Sequence, residues 1–190
     1  METTPPIRAT ESAGQTLCLT CGVCCDGTLF KDVQLLPADD PAKLRSAGLR
    51  VTIPHSAFRI PHLRQPCAAL GADCRCRVYA DRPAYCRQFE CLLLKSVLEG
   101  RTEISVALGV IRTVRQRAEK VRRLLRELGD GNDQMPLSQR FRRVARQIHN
   151  GDIDEATGDL FGELTLAVQD LNVLLNDAFY PGRVAPASRG

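Results

Sequence analysis

From Ile104 onward, apolar and charged positions recur with a helical period. Apolar residues fall at Ile104, Leu108, Ile111, Val114, Ala118, Val121, Leu125 and Leu128, at steps of 4, 3, 3, 4, 3, 4 and 3. Such steps place one apolar stripe along one face of a helix, and Gly129 and Gly131 end it. Leu137, Phe141, Val144 and Ile148 mark a second helix, closed by Asn150 and Gly151. Ile153, Leu160, Leu164, Val168, Leu171 and Leu175 mark a third, started by Asp152 or Asp154. Residues 96–180 are therefore read as a helical hairpin or three-helix region.

The first half carries shorter and less regular signals. Residues 1–15 are polar, hold Pro5 and Pro6, and are read as a disordered tail; residues 181–190 are read as a loose one. Thr28–Leu36 reads as a strand with partial alternation at Leu29, Val33 and Leu35. Asp40 and Pro41 look like an N-cap and first helical residue, and Gly48 like a stop, which predicts a helix over Pro41–Ala47. Leu49–Ile53 suggests another strand. Cys67–Tyr79 suggests two extended pieces joined by a turn at Gly71, Ala72 and Asp73. Asp81 is placed as the cap of a helix that begins near Pro83 and carries Cys86, and LLLKSVLEG continues helical to Gly100. The fold class is α+β, a small module over 16–95 followed by helices that pack on it.

Charge refines this picture. Residues 101–150 carry 12 basic and 5 acidic side chains, a net of +7, whereas residues 151–190 carry 2 and 7, a net of −5. The simplest reading packs a basic helix against an acidic one. The basic stretch includes Arg112, Arg115, Arg117, Lys120, Arg122, Arg123 and Arg126, continued by Arg140, Arg142, Arg143 and Arg146. It has no interleaved aromatics, so a solvated or internally paired face is favoured over a nucleic-acid footprint. No stretch approaches the roughly 20 apolar residues of a membrane span. The first residues show neither a basic nor an apolar segment of a secretory signal. The expectation is a cytoplasmic, reducing environment.

In that setting the cysteines acquire chemical meaning. There are nine, all between residues 18 and 91: Cys18, Cys21, Cys24, Cys25, Cys67, Cys74, Cys76, Cys86 and Cys91. A dense cluster in a reducing compartment points to metal rather than disulfides, and an odd count argues the same way. Thiolates are soft ligands suited to zinc, copper(I) or iron–sulfur clusters. A C-x2-C pair presents two sulfurs to one metal, as in zinc ribbons. Cys18, Cys21 and Cys24 also have the C-x2-C-x2-C spacing of bacterial ferredoxins. Spacing alone leaves both open. Neighbouring side chains of an extended backbone point in opposite directions, which makes Cys24 and Cys25 awkward partners on one mononuclear site.

CLTCGVCC (18–25), Cys67-Ala68-Ala69-Leu70 and CRVYADRPAYCRQFEC (76–91) together resemble the YkgJ-type, or CxxCxxCC, cysteine-cluster family, described as zinc- or iron-chelating. The resemblance covers residues 18–95. It implies metal ligation by Cys18, Cys21, Cys24, Cys25, Cys67, Cys76, Cys86 and Cys91, with Tyr79, Arg82, Pro83 and Arg87 in support. Cys74 is outside the pattern and is a possible extra thiol. Pro83 would fix the backbone entering the turn that carries Cys86. Arg82 and Arg87 would offset the charge of thiolates and lower thiol pKa.

The leading function is binding of zinc or iron, with an iron–sulfur cluster as a further form, in a metal-dependent fold or a metal-handling protein. The resemblance extends to the cysteine motif of flagellin lysine N-methylases. That keeps an iron–sulfur enzyme or enzyme accessory related to protein lysine N-methylation as an alternative. An interaction protein using the basic helix on a protein partner or nucleic acid is a third reading. No P-loop, HExxH, GxSxG or GxGxxG pattern is present, and no carboxylate pair among Asp26, Asp32 and Asp81 stands out as an acid–base dyad. His62, five residues before Cys67, is read as an ordinary loop residue, with metal ligation as the sharper alternative; His55 and His149 are weaker candidates still.

Overall fold

The apolar stripe that starts near Ile104 becomes the spine of the molecule. The computed structural model describes residues 9–54 and 59–180. Its elements are α1 (Ala9–Cys21), β1 (Asp32–Gln34), α2 (Pro41–Ser46), β2 (Val51–Thr52), β3 (His62–Arg64), α3 (Ala84–Gln88), α4 (Leu92–Leu98), α5 (Ile104–Glu127), α6 (Leu137–Asn150) and α7 (Glu155–Ala178). Along α5, Ala107, Ile111, Val114, Ala118, Val121, Leu124 and Leu125 are buried. Leu164, Ala167, Leu171 and Leu175 of α7 and Val144 of α6 close on that face. α7 starts where expected, with the Asp154 carboxylate accepting from the Thr157 N–H at 2.8 Å. The basic and acidic helices do lie side by side: Lys120 pairs with Glu163 at 3.0 Å, and Arg117 donates to the Asp170 carbonyl at 2.7 Å. Among the described residues no helix is long and apolar enough to cross a membrane.

The N-terminal part differs from its expectation. Residues 9–21 form a helix instead of continuing a disordered tail into a cysteine loop, so Cys18 and Cys21 stand on α1. The cause is tertiary. Leu17 is buried in the same core as α5, and α1 packs on both α4 and α5. Gly14 permits this approach, since a Cβ there would stand 3.1 Å from side-chain carbons of Leu94 and Leu98. Residues 1–8 of the tail read over 1–15, and all of the tail read over 181–190, lie outside the described residues, as does His55.

A second, smaller core lies on a three-stranded antiparallel sheet of order β1-β3-β2. Val33 pairs with Leu63 and Leu63 with Val51, so the three share one face, packed with Leu35, Leu44, Leu49 and Ala69. The central strand β3 is an addition to the sequence reading, and β1 is far shorter than the expected run over 28–36. The extended pieces expected over 67–79 reduce to a single bridge between Leu70 and Cys76. The N-cap assignments divide. Asp40 caps α2 as expected, accepting from the N–H groups of Ala42 and Lys43. Asp81 does not cap α3: it pairs with Lys43 at 3.1 Å, and the Ala84 N–H donates instead to Asp39 at 2.7 Å. Phe30 packs against both cores and marks the seam between them.

Candidate metal centre

That seam holds a cavity of about 110 Å³. Its wall contains Cys18, Cys21, Cys24, Cys25, Cys67, Cys76, Cys86 and Cys91, and it also takes residues from both cores, among them Leu17 and Ile111 from one and Val33 and Leu63 from the other. Five of the nine aromatic residues line it as well: Phe30, Tyr79, Tyr85, Phe89 and Phe179. A chain with few aromatics has concentrated them around its thiols. Phe30 meets Phe89 edge to face with ring centroids 5.0 Å apart, and Tyr85 stacks on Phe89 at 6.2 Å. Each such pair is worth ~1 kcal/mol beyond its buried area.

The local sequence explains how the thiols arrive there. Cys18 and Cys21 are three residues apart on α1 and so share a face. Gly22, at φ +70°, then turns the chain, and its carbonyl accepts from the N–H groups of Cys25 and Asp26 at 2.8 and 3.0 Å. Cys25 in turn accepts at its carbonyl from the Cys67 N–H at 2.7 Å. Cys76 sits on the bridge opposite Leu70, Cys86 on α3, and Cys91 at the N-cap of α4, where its Sγ accepts from the Leu94 N–H at 3.4 Å.

Burial dominates the electrostatics. It raises the thiol pKa of Cys18, Cys21, Cys24, Cys25, Cys67, Cys86 and Cys91, because a thiolate loses hydration in an apolar wall. Cys21 and Cys86 are each pushed up to about 12. Neighbouring thiolates add to the effect: Cys91 acts on Cys18, Cys91 and Cys18 act on Cys21, and Cys67, Cys86 and Cys76 act on Cys25. Two cations oppose it. Arg82 lowers Cys18 and Cys86, and Arg50 lowers Cys67. Burial thus opposes the thiolate form of these seven cysteines unless a cation is bound.

The supporting residues separate by role. Arg82 lines the cavity with its guanidinium 4.0 Å from the Tyr79 ring centroid, a cation–π contact that fixes its direction. Pro83 lines the cavity and is the N-cap of α3. Arg87, placed beside the thiolates in the sequence reading, is exposed and donates to the Arg82 carbonyl at 2.7 Å, so it steadies the arginine that does face them. Cys74 is not in the cavity wall. It has φ +66° and packs beside Gly22, where a Cβ would lie 3.0 Å from its own. His62 is on β3 with Nδ1 3.4 Å from an Asp32 oxygen, also away from the wall.

Several residues that hold the cysteine loop carry no signal in the sequence. Arg122 of α5 donates to Asp26 at 2.9 Å and to the Thr28 hydroxyl at 3.0 Å. The Leu137 N–H donates to the Gly27 carbonyl at 3.0 Å, and the Tyr180 hydroxyl to the Leu29 carbonyl at 3.0 Å. The C-terminal helices thus clamp the segment that follows Cys25. Gly27 is the tight point: its φ is +79°, and a Cβ would come 3.0 Å from the Pro136 Cα. We expect Gly27→Ala to destabilise the fold by about 1–3 kcal/mol, through a strained φ and overpacking. A shift of the urea midpoint checks this, and a midpoint equal to that of the parent protein would refute it.

Among the described residues no three His, Cys, Asp or Glu side chains stand close enough together, as placed, to hold a metal ion. Two observations nevertheless fit a metal. The donor set is eight soft sulfurs on one small cavity, shielded by aromatic rings. Gln65, 3% exposed and also in the wall, has a side-chain oxygen that meets no donor among the described residues. Buried amides are rarely left so.

A family model, CxxCxxCC, described as "Putative zinc- or iron-chelating domain", matches residues 17–106. That segment runs from the last turn of α1 to the first turn of α5 and contains every cysteine of the chain. Neither the curated proteins nor the solved structures contain a match. The match supports metal chelation by this part of the molecule.

Proposed function

We propose that the protein binds zinc or iron through the thiolates of Cys18, Cys21, Cys24, Cys25, Cys67, Cys76, Cys86 and Cys91, and that the metal completes the fold at the seam of the two cores. The observation that carries this reading is selective: these eight cysteines line one cavity, while Cys74 lies outside it. Seven of these thiols are desolvated, and with no cation they gain little from one another. With a cation, each can lose its proton and bond to the metal. A soft divalent ion adds to the positive charge that Arg50 and Arg82 bring to the site. Zinc filled entirely by protein ligands is structural and inert; iron in the same ligands adds one-electron chemistry.

The paired state of the basic helix favours this over a nucleic-acid reading. Arg117, Arg122 and Arg126 are each engaged within the molecule. We place the protein in a reducing, cytoplasmic setting, where these thiols stay available to metal.

The test is metal analysis of protein purified without oxygen. Zinc or iron is expected in near-integral amounts per chain. Iron with broad visible absorption would assign a cluster, and colourless zinc protein a structural site. Protein that is folded and free of both metals would refute the reading.

A further inference from the structure

The eight thiols do not form one undivided set. Cys18 and Cys21 stand on one face of α1, and α4, whose N-cap is Cys91, packs directly against α1. Together with Cys24 these three pack against the large helical core. On the other side, Cys67 is tied to Cys25 by the 2.7 Å hydrogen bond between their backbones. Cys76 lies across the bridge from Leu70, three residues after Cys67, and Cys86 sits on α3, which packs on β1. Cys67 and Cys86 pack against the small sheet core. Cys18, Cys21, Cys24 and Cys91 therefore belong to one packing unit and Cys67 and Cys86 to another, with Cys25 joined to Cys67 by that hydrogen bond.

We propose that the cavity holds two four-sulfur centres, Cys18, Cys21, Cys24 and Cys91 in one and Cys25, Cys67, Cys76 and Cys86 in the other, each taking one soft divalent cation and joined through the Cys24–Cys25 peptide. This rests on the metal-binding reading above and adds its stoichiometry and its ligand sets. The electrostatic neighbours follow the same division. Cys18, Cys21 and Cys91 act on Cys24, and Cys67, Cys86 and Cys76 act on Cys25; across the divide, only the adjacent Cys25 is among the leading influences on Cys24. Four sulfurs per ion is the coordination number that a structural zinc site requires, and four plus four leaves Cys74 as a spare thiol. Each filled centre carries a formal charge of about −2. Arg82, which acts on Cys18 in one set and Cys86 in the other, is shared between them. The arrangement also divides the adjacent Cys24 and Cys25, which lie in the turn after Gly22, between the two ions.

The experiment loads the full chain with Co²⁺ under anaerobic conditions, as a visible stand-in for zinc. Native mass spectrometry should give two cobalt ions per chain. Graded chelation is followed by alkylation, with each cysteine located by tandem mass spectrometry. The one-cobalt intermediate should then be labelled at one complete set of four and protected at the other, with Cys74 labelled throughout. Cys91→Ser and Cys67→Ser should each fall from two cobalt ions to one. Labelling that mixes the sets, loss of both ions in one step, or a single ion per chain would overturn the division while leaving metal binding intact. A chain that takes up no cobalt would instead refute the metal-binding reading itself.

Discussion

Asp130→Ala should lower the folding stability by about 3–5 kcal/mol, the range found when one partner of a buried ion pair is removed. Asp130 lies in the loop between α5 and α6 and is 4% exposed. Its carboxylate accepts from Arg140 Nε at 3.1 Å and from Arg143 at 2.6 and 2.9 Å, while its carbonyl accepts from Arg140 at 2.5 Å. Arg140 is 1% exposed, so truncating Asp130 leaves a guanidinium in the interior with Asp133 as its remaining carboxylate partner. Burial opposes ionisation of Asp130, but hydrogen bonds from Arg143 and the Asn132 N–H, with the charges of both arginines, outweigh it and hold the carboxyl below its usual range. Its folded pKa is thus lower than its unfolded one. The stabilisation is present above ~pH 4 and is lost as pH falls through the folded value. The double variant Asp130→Ala, Arg140→Met should recover much of the loss, because no buried charge is then left alone. Urea denaturation of the three proteins checks this. A single variant within about 0.5 kcal/mol of the parent, the range of an ordinary surface change, would show that the pair is not structural.

This pair illustrates what a sequence read by itself conveys. The stripes of α5, α6 and α7 and the caps at Asp40 and Asp154 were legible because each is set within one or two turns of chain. Arg140 and Arg143, by contrast, looked like surface charge on a basic run, and only the loop that returns Asp130 to them makes one of them interior. The cap of α3 comes from Asp39, 45 residues away, while the local candidate Asp81 serves an ion pair. α1 has no strong apolar stripe of its own and is made helical by burial of Leu17 against α4 and α5. β3 is three residues long and lies between Pro61 and Pro66, so neither period nor length marked it.

The candidate site was legible in a different way. The resemblance to the CxxCxxCC family named the eight cysteines that line the cavity, whereas spacing alone left the ligand set open. The proposed grouping was not visible, since Cys91 comes near Cys18 and Cys21 through the packing of α4 on α1. Nor were the clamps, which join residues 96 and 151 positions apart. Adjacency of Cys24 and Cys25 was the one local hint that two sulfur environments meet.

Stripping the metal should have the largest effect of all, on the order of 10 kcal/mol where the ions bind as tightly as in zinc-finger peptides. A cysteine module that folded apart from the helices would then unfold and leave them standing. The structure points to a wider loss. Leu17, Val23 and Leu29 belong to the same core as α5 and α7, and Arg122, Leu137 and Tyr180 hold the loop from the helical side. Loss of the centres should therefore loosen α1, the cysteine loop and the face of α5 together. The effect should also depend on pH in a defined sense. Burial raises the thiols of the metal-free fold above their value in the unfolded chain, ~8.5. As pH rises past ~8.5, the unfolded chain loses protons that the metal-free fold retains, so the stripped protein loses stability, by ~1.4 kcal/mol per pH unit for each such thiol. Metal binding releases those same protons, so the loaded form strengthens as the pH rises. The gap in melting temperature between loaded and chelator-treated protein should accordingly widen from pH 7 to pH 9. Thermal scans of both forms at the two values, followed by circular dichroism and by hydrogen exchange at α1 and α5, provide the measurement. A gap that is constant or narrows with pH, or exchange confined to residues 18–91, would count against thiolate ligation at the seam and against the coupling of the two cores, respectively.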